Sequence, residues 1–132
     1  MTVTRLDRRR FFAFTLTFTA VLAAGIGVVA QGRRQFDISS KRYEFTVSGS
    51  NEAEIRVKQN ELVHITFSAD DIAHSFTIEE SPYRIMKRAE PGKPVSFDFR
   101  ADTPGRFRFF CNLTADPKCK DMHGTLIVEP AR

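Results

Sequence analysis

Two cysteines in 132 residues are too few for a disulfide-rich mini-protein, and the chain has no tryptophan, only 7 glycines and 6 prolines, no internal repeat and no low-complexity tract. With 42% hydrophobic residues, 27% charged residues and 13 phenylalanines, the composition fits one ordinary domain and leaves no room for two. A basic face is also missing. The formal charge of +4 sits mostly in residues 1–30, with four Arg against one Asp. Residues 31–132 hold 16 Lys and Arg against 15 Asp and Glu. A nearly neutral body without a basic helix or an aromatic-basic stripe excludes a nucleic-acid surface. No Ser/His/Asp grouping, phosphate-cradling glycine loop or open-site metal motif is present, which argues against an enzyme.

What is there begins with a leader. Arg5, Arg8, Arg9 and Arg10 precede twenty uncharged residues, Phe11 to Ala30. That order predicts an N-terminal signal peptide or a membrane anchor helix over residues 1–30, and length alone permits either. Small side chains at Val28-Val29-Ala30, with Gly25 and Gly27 weakening the helix before them, favour cleavage after Ala30. Asp7-Arg8-Arg9-Arg10-Phe11-Phe12 also resembles a twin-arginine export signal; the plainer reading is an ordinary basic leader. Either way the body is expected outside the cytoplasm, in a periplasm or its equivalent, touching a membrane only if the leader is retained.

Residues 31–40 read as a polar linker, and from Lys41 onward apolar residues recur at every second position. Tyr43, Phe45 and Val47 form one such set, followed by Ile55 and Val57, and by Val63, Ile65 and Phe67. His74, Phe76 and Ile78 form another, then Val95, Phe97 and Phe99, and Phe107, Phe109 and Cys111, with a last run over Gly124 to Glu129. Turn formers separate them at Gly49 to Asn51, Gln59-Asn60, Asp70-Asp71, Pro91-Gly92 and Pro104-Gly105. The pattern predicts an all-β domain over residues 41–130, an antiparallel sandwich of about seven short strands. Residues 81–90 break the alternation and read as a loop or short helical excursion.

Two places concentrate metal-capable side chains. His74 opens a strand on the face of Phe76 and Ile78, so its imidazole is expected inside. Cys111 ends another inward face, and the loop after it carries Cys119, Met122 and His123. Thiolate, thioether and imidazole are the soft donors copper prefers. At these residues the chain resembles the cupredoxin family, and within it the copper domain of cytochrome c oxidase subunit II and nitrous oxide reductase. The stretch Asp70 to Ile78 is similar to the segment carrying that family's first His ligand, and Phe109 to Val128 to its closing Cys-loop-Met-strand unit, with Met122, Gly124, Leu126 and Val128 in order.

The resemblance implies a Greek-key β-sandwich with the metal near one end. It also implies ligand roles for His74, Cys111 and Met122, the last at the family's spacing of eleven from the cysteine. Ala115 replaces the second cysteine of the binuclear loop, and Cys119 stands where that loop keeps its His. One copper ion is therefore expected, held by His74, Cys111, Cys119 and Met122, with His123 in reserve. Three sulfurs and one nitrogen suit Cu(I). Zinc on Cys111, Cys119, His74 and His123 is the competing metal reading, and it leaves Met122 unused.

For the two cysteines the alternative is a structural disulfide, worth about 2–3 kcal/mol. His64 reads as a solvent-facing strand residue, and Arg84, Lys87 and Arg88 around Met86 as a solvated loop or a docking edge for an acidic partner. The function expected is a copper-binding, extracytoplasmic carrier of single electrons, with a redox protein as its partner. The alternatives are a copper carrier or store supplying Cu(I) to an oxidase, and a metal-free sandwich closed by a Cys111–Cys119 bridge.

Overall fold

The computed structural model describes residues 32–132; the expected leader lies outside the described residues. Among the described residues, nine strands form two sheets. They are β1 (Arg33–Lys41), β2 (Glu44–Val47), β3 (Glu54–Lys58), β4 (Leu62–Ala69), β5 (His74–Ile78), β6 (Ile85–Ala89), β7 (Val95–Arg100), β8 (Gly105–Phe110) and β9 (His123–Glu129), with one 3-10 turn at Cys119–Asp121. One sheet runs β2-β1-β4-β7 and the other β3-β9-β8-β5-β6. The β-sandwich read from the sequence is what the structure shows.

Alternation explains most of it. In β4, Val63, Ile65, Phe67 and Ala69 point inward while their neighbours remain half-exposed. In β8, Phe107 and Phe109 are buried and alternate with the exposed Arg106 and Arg108, and in β9 Leu126 and Val128 are buried together with Ile127 between them. The inward faces meet on an aromatic centre: Phe76 stacks on Phe109 at 4.8 Å, and Phe45 meets the Phe109 ring edge-on at 5.2 Å. Phe76 also touches Phe97 at 5.5 Å, so rings from both sheets converge at Phe76. Each such ring contributes roughly 1.5–3 kcal/mol by leaving water.

Three expectations are corrected. The linker expected over residues 31–40 is, among the described residues, mostly a strand: Arg33–Lys41 is bonded on both sides, antiparallel to β2 and parallel to β4. Its inward residues include Ile38 and Ser40, and Ser40 donates its hydroxyl to the Ser68 carbonyl at 2.8 Å, so a polar residue occupies a core position at no hydrogen-bonding cost. Of residues 81–90, expected as a loop or short helical excursion, only the first part is a turn and the rest is a strand. The Tyr83 ring packs on Phe107 and Phe99, its hydroxyl donates to the Thr103 carbonyl, and Ile85–Ala89 then joins β5 as an edge strand. Nor is the sandwich wholly antiparallel: β1 with β4 and β3 with β9 are parallel pairs.

Candidate metal centre

The site sits at one end of the sandwich, where β5 begins, β8 ends and β9 has yet to start. His74 is the first residue of β5, and it is fully buried because that strand lies between β8 and β6. Cys111 follows the last residue of β8. Its N–H donates to the Met122 carbonyl at 3.3 Å, which draws the two ends of the connecting loop together. Cys119 opens the 3-10 turn, and the Met122 N–H closes that turn on the Cys119 carbonyl at 3.0 Å. His74, Cys111, Cys119 and Met122, the four residues expected from the sequence, are all buried.

One Nδ1 and two Sγ atoms, from His74, Cys111 and Cys119, lie within 4.8 Å of one another. His74 Nδ1 is 3.4 Å from Cys119 Sγ and 3.9 Å from Cys111 Sγ. The two sulfurs are bonded to each other, with Cα atoms 5.3 Å apart. The structure therefore assembles the pair as the ligand reading requires and joins it as the bridge reading requires. In this oxidised form neither sulfur is a thiolate, and a disulfide is a poor partner for a metal ion. His123 stays outside, exposed, with Nδ1 donating to the Asp121 carbonyl at 2.8 Å. The four-ligand zinc set is thus not brought together.

Several neighbours of the site escape a search for ligand types alone. Asp71 Oδ1 is 2.7 Å from His74 Nε2 and also accepts the Ile72 N–H, while Oδ2 accepts the Arg42 N–H at 2.9 Å. Partial burial opposes ionisation of this carboxyl, but the Arg42 and Ile72 N–H groups and the His74 ring outweigh it and hold the pKa down to about 2. The spacing Asp-x-x-His was the available signal. Ser75 donates its N–H to Cys111 Sγ at 3.4 Å and its hydroxyl to Asn112 Oδ1 at 2.7 Å, and it accepts the Asn112 N–H at 2.8 Å. The residue after His74 thus fixes both Cys111 and the residue after it.

On the far side, the Arg42 guanidinium lies 3.9 Å from Asp71 and 3.7 Å from Asp116, which belongs to the loop between the cysteines. Lys118 sits over the Tyr43 ring at 5.5 Å. The β1–β2 turn is therefore packed on the cysteine loop. A surface cavity of about 450 Å³ opens here, lined by Arg42, Ala73, Arg88, Leu113 and Asp116 among others.

A family model described as a cupredoxin-like domain matches residues 11–128. The chain belongs to the cupredoxin-like family. Among solved structures, this cupredoxin is similar to the periplasmic domain of subunit II of cytochrome oxidase from Bradyrhizobium japonicum, at 14% identity and a TM-score of 0.63 over 74% of this chain and 84% of that one. It is similar also to subunit II of cytochrome c oxidase caught in a mixed disulfide with the thioredoxin-like TlpA, at 16% identity and a TM-score of 0.60 over 74% of this chain and 82% of that one. A third likeness is to auracyanin A, a blue copper protein from Chloroflexus aurantiacus, at 17% identity and a TM-score of 0.59 over 74% of this chain and all of that one. At these identities the likenesses establish the fold. Comparison with curated protein sequences gives no match.

The donor set can be tested against copper on its own geometry. Reduced, it offers two thiolates beside Nδ1 of the His74 ring, all shielded from water, and Met122 is buried three residues after Cys119. That donor chemistry fits copper. Bridged, it does not.

Proposed function

We propose that the protein is a copper-binding cupredoxin that works outside the cytoplasm and passes single electrons to a redox partner, holding one copper ion on His74, Cys111, Cys119 and Met122. The observation that carries this is the convergence of His74 Nδ1 with both sulfurs inside a buried pocket. A histidine ring is an expensive group to bury, and a merely structural disulfide does not need one turned toward it. Copper supplies the one-electron couple when bound. The chain contributes a closed, water-poor cage that resists rearrangement between oxidation states.

The bridge supports a loading step. Two electrons and two protons convert the disulfide to two thiols, and a dithiol that ends as a disulfide itself supplies them by exchange. The mixed disulfide formed by the similar oxidase domain with a thioredoxin-like protein is chemistry of this kind. The leader and the disulfide both support an oxidising, extracytoplasmic setting. A copper carrier that hands Cu(I) to an oxidase is the second reading, favoured by the sulfur-rich donor set.

The test is to purify the protein in oxidised and dithiol-reduced forms, titrate thiols, and count copper per chain. The reduced form should show two thiols and bind one copper, and the oxidised form neither. Absence of copper from the fully reduced protein would leave the metal-free sandwich as the correct account. A reversible potential with fast electron exchange distinguishes the electron carrier from the copper carrier, which would release Cu(I) to a competing chelator without cycling.

A further inference from the structure

His74 can serve a metal only through Nδ1, since Nε2 faces Asp71. Which nitrogen carries the proton is therefore decisive, and the surroundings settle it. The Asp71 carboxylate is acceptor-only, and it stands 2.7 Å from Nε2. Nε2 must then carry a proton, and in the neutral ring this leaves the Nδ1 lone pair facing the sulfurs 3.4 and 3.9 Å away. Asp71 is itself fixed from two directions, by the Ile72 N–H at 2.7 Å on Oδ1 and by the Arg42 N–H at 2.9 Å on Oδ2. The second of these comes from the turn between β1 and β2, distant in sequence from every ligand.

We propose that Asp71 is the positioning residue of the centre: it selects the Nε2–H tautomer of His74, sets the ring so that Nδ1 meets the two cysteines, and is held in place by the backbone of the Arg42 turn. The proposal rests on the copper reading given above, but the tautomer exists in the metal-free protein and is measurable without copper. A ligating imidazole whose far nitrogen is bonded to a carboxylate is oriented and made more basic, and loss of such a partner typically lowers metal affinity by about 10–100-fold. An amide in this position could accept from Nε2–H or donate to a bare Nε2, so it would no longer choose between tautomers. The Arg42 side chain is not needed for this, because its contact with Asp71 through the backbone survives truncation.

The experiment is long-range proton–nitrogen NMR of the metal-free, reduced full chain, followed by Cu(I) titration against a chelator of known affinity. The parent should show His74 protonated at Nε2 and bare at Nδ1. Asp71→Asn should show mixed tautomers and bind Cu(I) about 10–100-fold more weakly, Asp71→Glu should recover part of the loss, and Arg42→Ala should keep the parental tautomer. A parent protonated at Nδ1, or an Asp71→Asn variant with the parental tautomer and affinity, overturns the proposal. The parental spectrum decides the first of these even if a variant does not fold. Failure of the reduced parent to take up Cu(I), with the Nε2–H tautomer present, overturns the copper reading and leaves the orientation of His74 standing.

Discussion

At the scale of single residues, the proposed copper site draws its donors from two distant parts of the chain. His74→Ala and Cys111→Ser should each abolish stoichiometric copper while the far-ultraviolet β signal persists; unchanged copper content in either would contradict the assignment. Cys119→Ser should weaken copper strongly and shift its charge-transfer spectrum. If it binds copper like the parent and only melts lower, Cys119 is half of a structural bridge and nothing more. Gly124, two residues after Met122, has a different role. A Cβ there would overlap the Phe109 ring and the Ala53 carbonyl, one a core side chain and the other backbone. Gly124→Ala should cost about 1–3 kcal/mol in urea unfolding, as overpacking does. Asp71 gives the pH dependence. Its folded value of about 2 lies below the ordinary 3.8, so the fold favours the ionised form. That stabilisation is complete above about pH 4 and is lost as pH falls towards 2. The stability gap between parent and Asp71→Asn should therefore narrow over that range, and a constant gap would show that the carboxylate is not held by the fold.

At the scale of elements, legibility followed exposure. In β4 and β8 a fully buried face alternates with a more exposed one, so their alternation was visible in the sequence, whereas β9, with Leu126, Ile127 and Val128 all buried, was read only as a run. Arg33–Lys41 has only Phe36 and Ile38 as apolar members, and its buried Ser40 reads as polar, so a strand paired on both sides looked like a linker. Ile85–Ala89 is an edge strand with Met86, Lys87 and Arg88 all exposed, so it carries no alternation to detect. The four proposed ligands could be nominated from the sequence because copper chemistry restricts donor types, and the structure brings three of them, His74, Cys111 and Cys119, together. Asp71 had only its Asp-x-x-His spacing as a signal, and Ser75 and Arg42 had none, because a hydroxyl and a backbone N–H acquire meaning only from what stands opposite them. Ile38, just 1% exposed, provides a direct check on the unexpected strand. Ile38→Ala should destabilise the protein by about 2–5 kcal/mol, whereas a linker residue would tolerate the change with almost no effect.

At the scale of the whole molecule, the sandwich holds its two sheets together on rings from Phe45, Phe67, Phe76, Phe97 and Phe109, and it presents the site at one end. The Cys111–Cys119 bridge closes the short loop in this structure, and in the proposed function the ion is the alternative closure. Reducing the disulfide should lower stability by about 2–3 kcal/mol, and saturating Cu(I) should restore it by mass action. The most direct measurement is X-ray absorption at the copper edge of the reduced, Cu(I)-loaded protein. The account predicts a single copper with sulfur scatterers and one imidazole nitrogen, and loss of the imidazole signal in His74→Ala. A shell of oxygen and nitrogen alone, or a copper–copper distance, would contradict it.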